Sequence, residues 1–161
     1  MRKNLSNKQI EKYSRQIVLK NVGTIGQKKI LNSNVLVVGA GGLGCPVIDY
    51  LSRAGVGRLG IIDYDKIDPS NIHRQSIYTF KDVGKYKVDV LKRKIMDINP
   101  DVKTKIFKSK ITNKNVDKIL KQFDIIIDGS DNFKTKFLLN KYARKLKKTL
   151  IVGAISKYDG H

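Results

Sequence analysis

The chain has 161 residues, 40% of them apolar and 29% charged. That suffices for one domain with its own core, and no apolar run approaches the roughly 18 residues of a membrane span. The start, MRKNLSNKQIEKYSRQ, has no apolar signal core, and the single cysteine, Cys45, excludes an internal disulfide and a cysteine-cluster zinc site. A reducing cytoplasm, with no membrane role, is the simplest setting. The net charge of +19 invites a nucleic-acid partner, but 26 of the 33 basic residues are Lys, scattered through nearly every segment. No zinc-finger or RNA-recognition signature accompanies them, so nucleic acid is disfavoured; attraction of ATP or of an acidic protein is the weaker consequence that stands.

In chain order, two short helices are expected near Lys8–Leu19 and Ile25–Leu31, separated by NVGTIG. The strand NVLVVG follows, then a helix from about Leu43 to Ala54, a second strand GRLGIID, and a long polar loop, YDKIDPSNIHRQSIY, too long to be idle. VGKYKVDVLKRKIMDIN places Val83, Val88, Leu91 and Ile95 at helical spacing and stops before Pro100. KTKIFKS is a third strand with an exposed face, and TNKNVDKILKQF a helix opened by a Thr cap. DIIIDG is a buried strand, DNFKTKFLLNKYARKL a helix, and TLIVGAI another buried strand. Alternating strands and helices, with two strands solidly apolar, give an α/β fold. It is Rossmann-like: a doubly wound, mostly parallel sheet with helices on both faces, preceded by the two short helices. Ligands of such sheets sit beyond the strand carboxyl ends, where GAGGLG, DYD and DGSDN all fall. The ending GAISKYDGH, directly after a core strand, reads as an interrupted sequence.

Gly39, Gly41 and Gly44 fit G-x-G-x-x-G, and Asp63 lies 19 residues beyond Gly44, at the end of the next strand. Glycines allow backbone amides to approach phosphate at a helix N-terminus, and Asp63 can accept from ribose hydroxyls while its charge opposes a 2′-phosphate. Alone this describes a dinucleotide fold, with an NAD-dependent dehydrogenase as one outcome; glycines that serve only helix–strand packing are the other reading. DPSNIHRQS adds Asn71, Arg74 and Gln75 close to the ribose site, and Lys87 follows on the next helix. Several positive donors suit a triphosphate whose α-phosphorus is attacked. A solvated face is the ordinary fate of any one Lys here, whereas Arg74 is one of only seven arginines.

The run GAGGLGCPVIDYLSRAGVGRLGIIDYDKIDPSNIHRQ resembles the ThiF/MoeB/HesA adenylating enzymes, relatives of the ubiquitin-activating enzymes. The likeness extends from YSRQIVL through DIIIDGSDNFKTKFLLN to TLIVGA. The resemblance implies an ATP-dependent adenylyltransferase that activates the C-terminal Gly-Gly carboxylate of a ubiquitin-like sulfur-carrier protein and releases pyrophosphate. It further implies that the backbone at Gly42 approaches the nucleotide, that Asp63 binds ribose with Asp65 as a second acid beside it, that Asn71 and Arg74 engage phosphates with Gln75 beside them in the family's S-N-x-x-R-Q, and that Lys87 contacts phosphate. Asp131 is the acid linked to magnesium, followed by Asn132. Arg15 of YSRQ resembles an arginine that reaches the partner subunit's ATP site in homodimers of the family. Members usually continue with two Cys-x-x-Cys pairs that bind a structural zinc, so residues 1–161 are expected to be the adenylation portion of a longer enzyme, with zinc only in the further portion.

Adenylation needs no nucleophilic side chain, which leaves Cys45 without a task. Its place in the glycine loop before Pro46 argues for packing, although a helix N-terminus can activate a thiol. His73 is read as incidental and His161 carries no inference. Three other functions stay open: a tRNA-adenosine-carboxylate-activating dehydratase of the same family, a non-catalytic ATP- or partner-binding module, and the dehydrogenase.

Overall fold

The computed structural model describes residues 4–161, and the elements follow from local chemistry. Helix α1 (Asn7–Lys12) opens on a capping box, with Ser6 Oγ accepting from the Gln9 amide and Gln9 Oε1 accepting from the Ser6 amide. The expected helix Lys8–Leu19 is interrupted at Tyr13, whose backbone (φ −103°, ψ 14°) leaves helical geometry, and it resumes as α2 (Ser14–Ile17). The cause is tertiary: Tyr13 is buried, and its hydroxyl accepts from Asn99 Nδ2 at 2.9 Å. Helix α3 starts at Gly23 rather than Ile25 and runs to Asn32, so three short helices precede the sheet.

Strands β1 (Asn34–Val38), β2 (Arg58–Ile62), β3 (Lys103–Phe107), β4 (Ile125–Asp128) and β5 (Thr149–Val152) form one parallel sheet in the order β3-β2-β1-β4-β5. Strand order reverses between β1 and β4, which opens the crevice expected of such sheets. Helices α4 (Gly44–Ala54) and α5 (Lys87–Ile98) cover one face, where Val35, Val37, Leu59 and Ile61 meet Cys45, Ile48, Leu91 and Ile95. Helices α6 (Val116–Leu120) and α7 (Phe133–Lys145) cover the other, with Leu36, Val38, Ile62 and Ile126 against Ile119, Leu120, Phe123 and Leu139. Each large aliphatic side chain buried there contributes roughly 1.5–3 kcal/mol. The doubly wound architecture is therefore present.

Several boundaries differ from expectation. Helix α5 begins at Lys87, not Val83, because Phe80–Asp82 forms a 3-10 turn and Gly84 takes φ +81°. That turn sends the chain back against residues 65–67: Gly84 N–H donates to Ile67 O, Ile67 N–H to Lys85 O, and Lys87 N–H to Asp65 O. Helix α6 is not capped by the Thr112 side chain. Instead Asn115 Oδ1 accepts from the Thr112 amide and Asn115 Nδ2 donates to Lys110 O, which holds the preceding residues in a turn. Strand β5 is not buried: it is the sheet edge, and Ile151 and Val152 are 51% and 44% exposed. The expected strand TLIVGAI stops at Val152, and a short antiparallel hairpin follows, β6 (Ile155–Ser156) with β7 (Asp159–Gly160). No described helix is long and apolar enough to cross a membrane.

Candidate active site

The loop after β1 is fixed by close backbone packing. Gly39 takes φ +92° and donates its amide to Ile62 O at 2.9 Å. A Cβ on Gly44 would lie 2.0 Å from Gly39 O, so the start of α4 can approach the strand only as glycine. Gly41 and Gly42 are different: an added Cβ there would meet nothing closer than 3.8 Å. Their surface is open for another molecule. The amides of Gly41, Gly42 and Leu43 find no hydrogen-bond partner among the described residues, beside the N-terminus of an 11-residue helix.

Asp63 ends the neighbouring strand and staples two turns. One carboxylate oxygen accepts from the Ala40 amide at 2.7 Å and the other from the Asp65 amide at 2.8 Å. Each oxygen keeps a second lone pair, so a ribose hydroxyl can still donate to it. Asp65 holds Lys87 twice, through its carbonyl to the Lys87 amide and through its carboxylate, 3.5 Å from Nζ. Lys87 is only 5% exposed. It is no solvated-face lysine.

The polar loop brings the second cation. Asp68 and Asn71 form a reciprocal capping box, and Asn71 O accepts from the amides of Arg74 and Gln75. Arg74 Cγ and Cδ lie 3.8 Å from the position of a Cβ on Gly42, so the side chain rests over the glycine loop. Its Nη1 donates to Ser70 O at 2.9 Å and stands 3.1 Å from His73 Nε2, and it makes no ion pair among the described residues. His73 thus touches Arg74 rather than standing apart. Gln75 is buried beside Gly41, with Nε2 4.0 Å from where a Gly41 Cβ would stand and Oε1 unpaired among the described residues.

On the far side of the crevice, the β4–α7 loop abuts the glycine loop: a Cβ on Gly39 would lie 2.9 Å from Gly129 O. Asn132 Oδ1 caps α7 by accepting from the Thr135 amide at 2.9 Å, a structural task beside any ligand contact. Asp131 is exposed, and its carboxylate meets only Asn132 Nδ2, at 3.5 Å. Among the described residues no group of three His, Cys, Asp or Glu could hold a metal ion. A lone exposed carboxylate in this loop fits a magnesium ion shared with other ligands, which uses one or two carboxylates, and does not fit an all-protein cage.

Arg15 is not brought to this crevice. Asn99 Nδ2 donates to Tyr13 Oη and to Ser52 O, which places Tyr13 at the C-terminal ends of α4 and α5, hence at the amino ends of the strands. Arg15, two residues on, is exposed there. Cys45 is fully buried, donates Sγ–H to Ala40 O at 3.3 Å, and has its thiol pushed up to about 12 by burial, with Tyr78 and Lys87 opposing. This thiol packs. Tyr78 Oη also donates to Ala40 O, and burial raises that phenol above its ordinary range. Sequence reasoning missed Tyr78 and also Asp128, Ser130 and Lys136 beneath the second loop; the only signal was a carboxylate closing the apolar run IIID.

A glycine loop at the strand-order switch, an acid at the end of the next strand, Arg74 over that loop and Lys87 buried beside Asp65 define the strand-end crevice of a Rossmann-like α/β domain. Residues 13–161 match the ThiF family, and the chain belongs to that family. It is 42% identical over 155 residues to the sulfur carrier protein adenylyltransferase of Thermus thermophilus, covering 96% of this chain and 57% of that protein. It is 43% identical over 156 residues to the adenylyltransferase and sulfurtransferase MOCS3 of Culex quinquefasciatus, covering 97% and 36%. Among solved structures it resembles the E. coli tRNA N6-threonylcarbamoyladenosine dehydratase TcdA in complex with ATP. There the TM-score is 0.84 and the identity 25%, over 92% of this chain and 61% of that one. The chain therefore spans about half the length, or less, of these curated relatives.

Proposed function

We propose that residues 1–161 form the ATP-binding adenylation part of an enzyme that activates the C-terminal Gly-Gly carboxylate of a ubiquitin-like sulfur-carrier protein, of the kind serving molybdopterin or thiamine thiazole synthesis. The observation that carries the reading is Arg74 laid over Gly42 with Lys87 buried beside Asp65. A hydride-transferring dinucleotide site needs amides and a helix dipole at its pyrophosphate; two further cations suit a triphosphate. In this reading Asp63 holds the ribose, the amides of Gly41 and Gly42 meet phosphate, and Asn71 and Gln75 line the crevice. Asp131 would hold magnesium, which supplies charge neutralisation at the phosphates when bound.

The chemistry follows from charge. The carrier carboxylate oxygen forms a bond to the α-phosphorus while the bond from that phosphorus to the bridging oxygen of pyrophosphate breaks. Nucleophile and centre are both anionic, so Arg74 and Lys87 lower their repulsion and stabilise the departing pyrophosphate. The attacking carboxylate is already ionised, and no side chain has to remove a proton. We further propose that Arg15 serves the site of a second copy in a homodimer, since within its own chain it lies at the opposite end of the sheet.

The carrier reading is supported by relatives above 40% identity, whereas the dehydratase alternative rests on structural likeness at 25%. ATP–pyrophosphate exchange separates them. Exchange that depends on a Gly-Gly-ended carrier supports the proposal, and exchange that depends on tRNA instead overturns it. Calorimetry in which NAD binds more tightly than ATP with magnesium would reject both.

A further inference from the structure

Beneath Asp131 lies a buried ion pair that adenylation does not use. Asp128, the last residue of β4, is 0% exposed. Its Oδ1 accepts from the Ser130 amide at 2.9 Å and from Ser130 Oγ at 2.6 Å. Its Oδ2 accepts from Lys136 Nζ at 3.2 Å, and the same ammonium donates to Gly153 O at 2.8 Å. The Gly153 amide donates back to Asp128 O at 2.9 Å. One cation in the first turns of α7 thus ties together the end of β4, the exit of β5 and α7 itself.

The four residues between β4 and α7 are fastened almost throughout. The Gly129 amide donates to Val38 O, Ser130 is held by Asp128, and Asn132 caps α7. Asp131 alone has a side chain with no bond beyond its neighbour. Burying a carboxylate is costly without a partner, and stability alone is served as well by apolar residues. A paired Asp128 does two things an apolar residue cannot: it grips Ser130, one residue from Asp131, by two hydrogen bonds, and it keeps Lys136 across the strand ends.

We propose that Asp128 and Lys136 are positioning residues that fix Asp131 for magnesium. The inference rests on the adenylation reading, because it takes Asp131 as the carboxylate facing the metal. The readout is the gain in ATP affinity on adding magnesium, measured by calorimetry on the protein with and without the metal. Lys136→Met should cut that gain by roughly 10-fold, the scale seen for groups that orient a metal ligand, while metal-free ATP binding moves less. Lys136→Arg, which keeps the charge and the reach, should restore most of the gain. A purely structural pair would change the melting temperature and leave the gain intact. An unchanged gain in folded Lys136→Met overturns the proposal. If that variant does not fold, Ser130→Ala decides, since it removes a single hydroxyl and leaves the pair: a reduced gain supports the proposal and an unchanged gain overturns it. Absence of ATP binding in the wild-type protein would instead strike the adenylation reading, and this inference with it.

Discussion

Gly44 and Gly42, two residues apart in one loop, should respond in opposite ways to the same added methyl. A Cβ at Gly44 would stand 2.0 Å from Gly39 O and 2.9 Å from Gly39 C, both backbone atoms, and contacts below 3.0 Å are not tolerated. Relief needs more than an ångström of movement between β1 and α4, which carries the fully buried Cys45 and Ile48 into the core. Such overpacking against backbone costs about 3 kcal/mol. With a urea dependence of about 2 kcal/mol per molar, Gly44→Ala should lower the unfolding midpoint by about 1.5 M. At Gly42 the added methyl meets only Arg74 carbons at 3.8 Å, an ordinary contact, so Gly42→Ala should unfold within about 0.5 M of wild type. The methyl does occupy the space above the free amides, and ATP with magnesium should bind roughly tenfold or more weakly, a loss of about 1.4 kcal/mol. Urea melts and calorimetry on the two variants suffice. A wild-type midpoint for Gly44→Ala would refute the packing argument, and wild-type ATP affinity for Gly42→Ala would refute the placement of phosphate.

Cys45→Ala should leave carrier adenylation within a few-fold of wild type, and native Cys45 should resist alkylation at neutral pH, since burial pushes its thiol up to about 12; a loss of about 100-fold without unfolding would make it a catalytic thiol. Asp82 supplies a pH test. Burial alone would raise its carboxyl, but hydrogen bonds from Thr79 and Arg93 and the charge of Lys94 prevail and hold it at about 2, below the ordinary 3.8. The folded state therefore binds this proton less readily than the unfolded one. Its stabilisation is complete above about pH 4 and is lost as pH falls through about 2. Urea midpoints across that window should fall less steeply in Asp82→Asn than in wild type, and parallel slopes would count against the network.

The glycine loop, the place of Asp63 and the polar run of residues 71–75 beside it were legible because each depends on local sequence: a turn that only glycine fits, a carboxylate at a strand end, a run of amides beside an Arg. The buried state of Lys87 was not legible from helical periodicity. It follows from Gly84 reversing the chain so that residues 84–87 pair with 65–67. The break at Tyr13 was equally hidden, because its cause is Asn99, 86 residues away. Asp128 and Lys136 lie eight apart across a loop and a helix start, and nothing in IIIDGSDNFKTK marks them as partners. The exposure of β5 is a matter of sheet order, which an apolar run does not encode.

The most direct test is ATP–pyrophosphate exchange by Arg74→Ala and Lys87→Ala with a Gly-Gly-ended carrier. If these cations stabilise charge in the transition state, each substitution should cut exchange by roughly 100- to 1,000-fold, on the order of 3–4 kcal/mol. Asp131→Asn should do the same, with partial recovery at raised magnesium. Asp63→Ala should mainly raise the ATP concentration required, since the ribose is held before chemistry begins. Near-normal exchange by folded Arg74→Ala and Lys87→Ala would contradict the account.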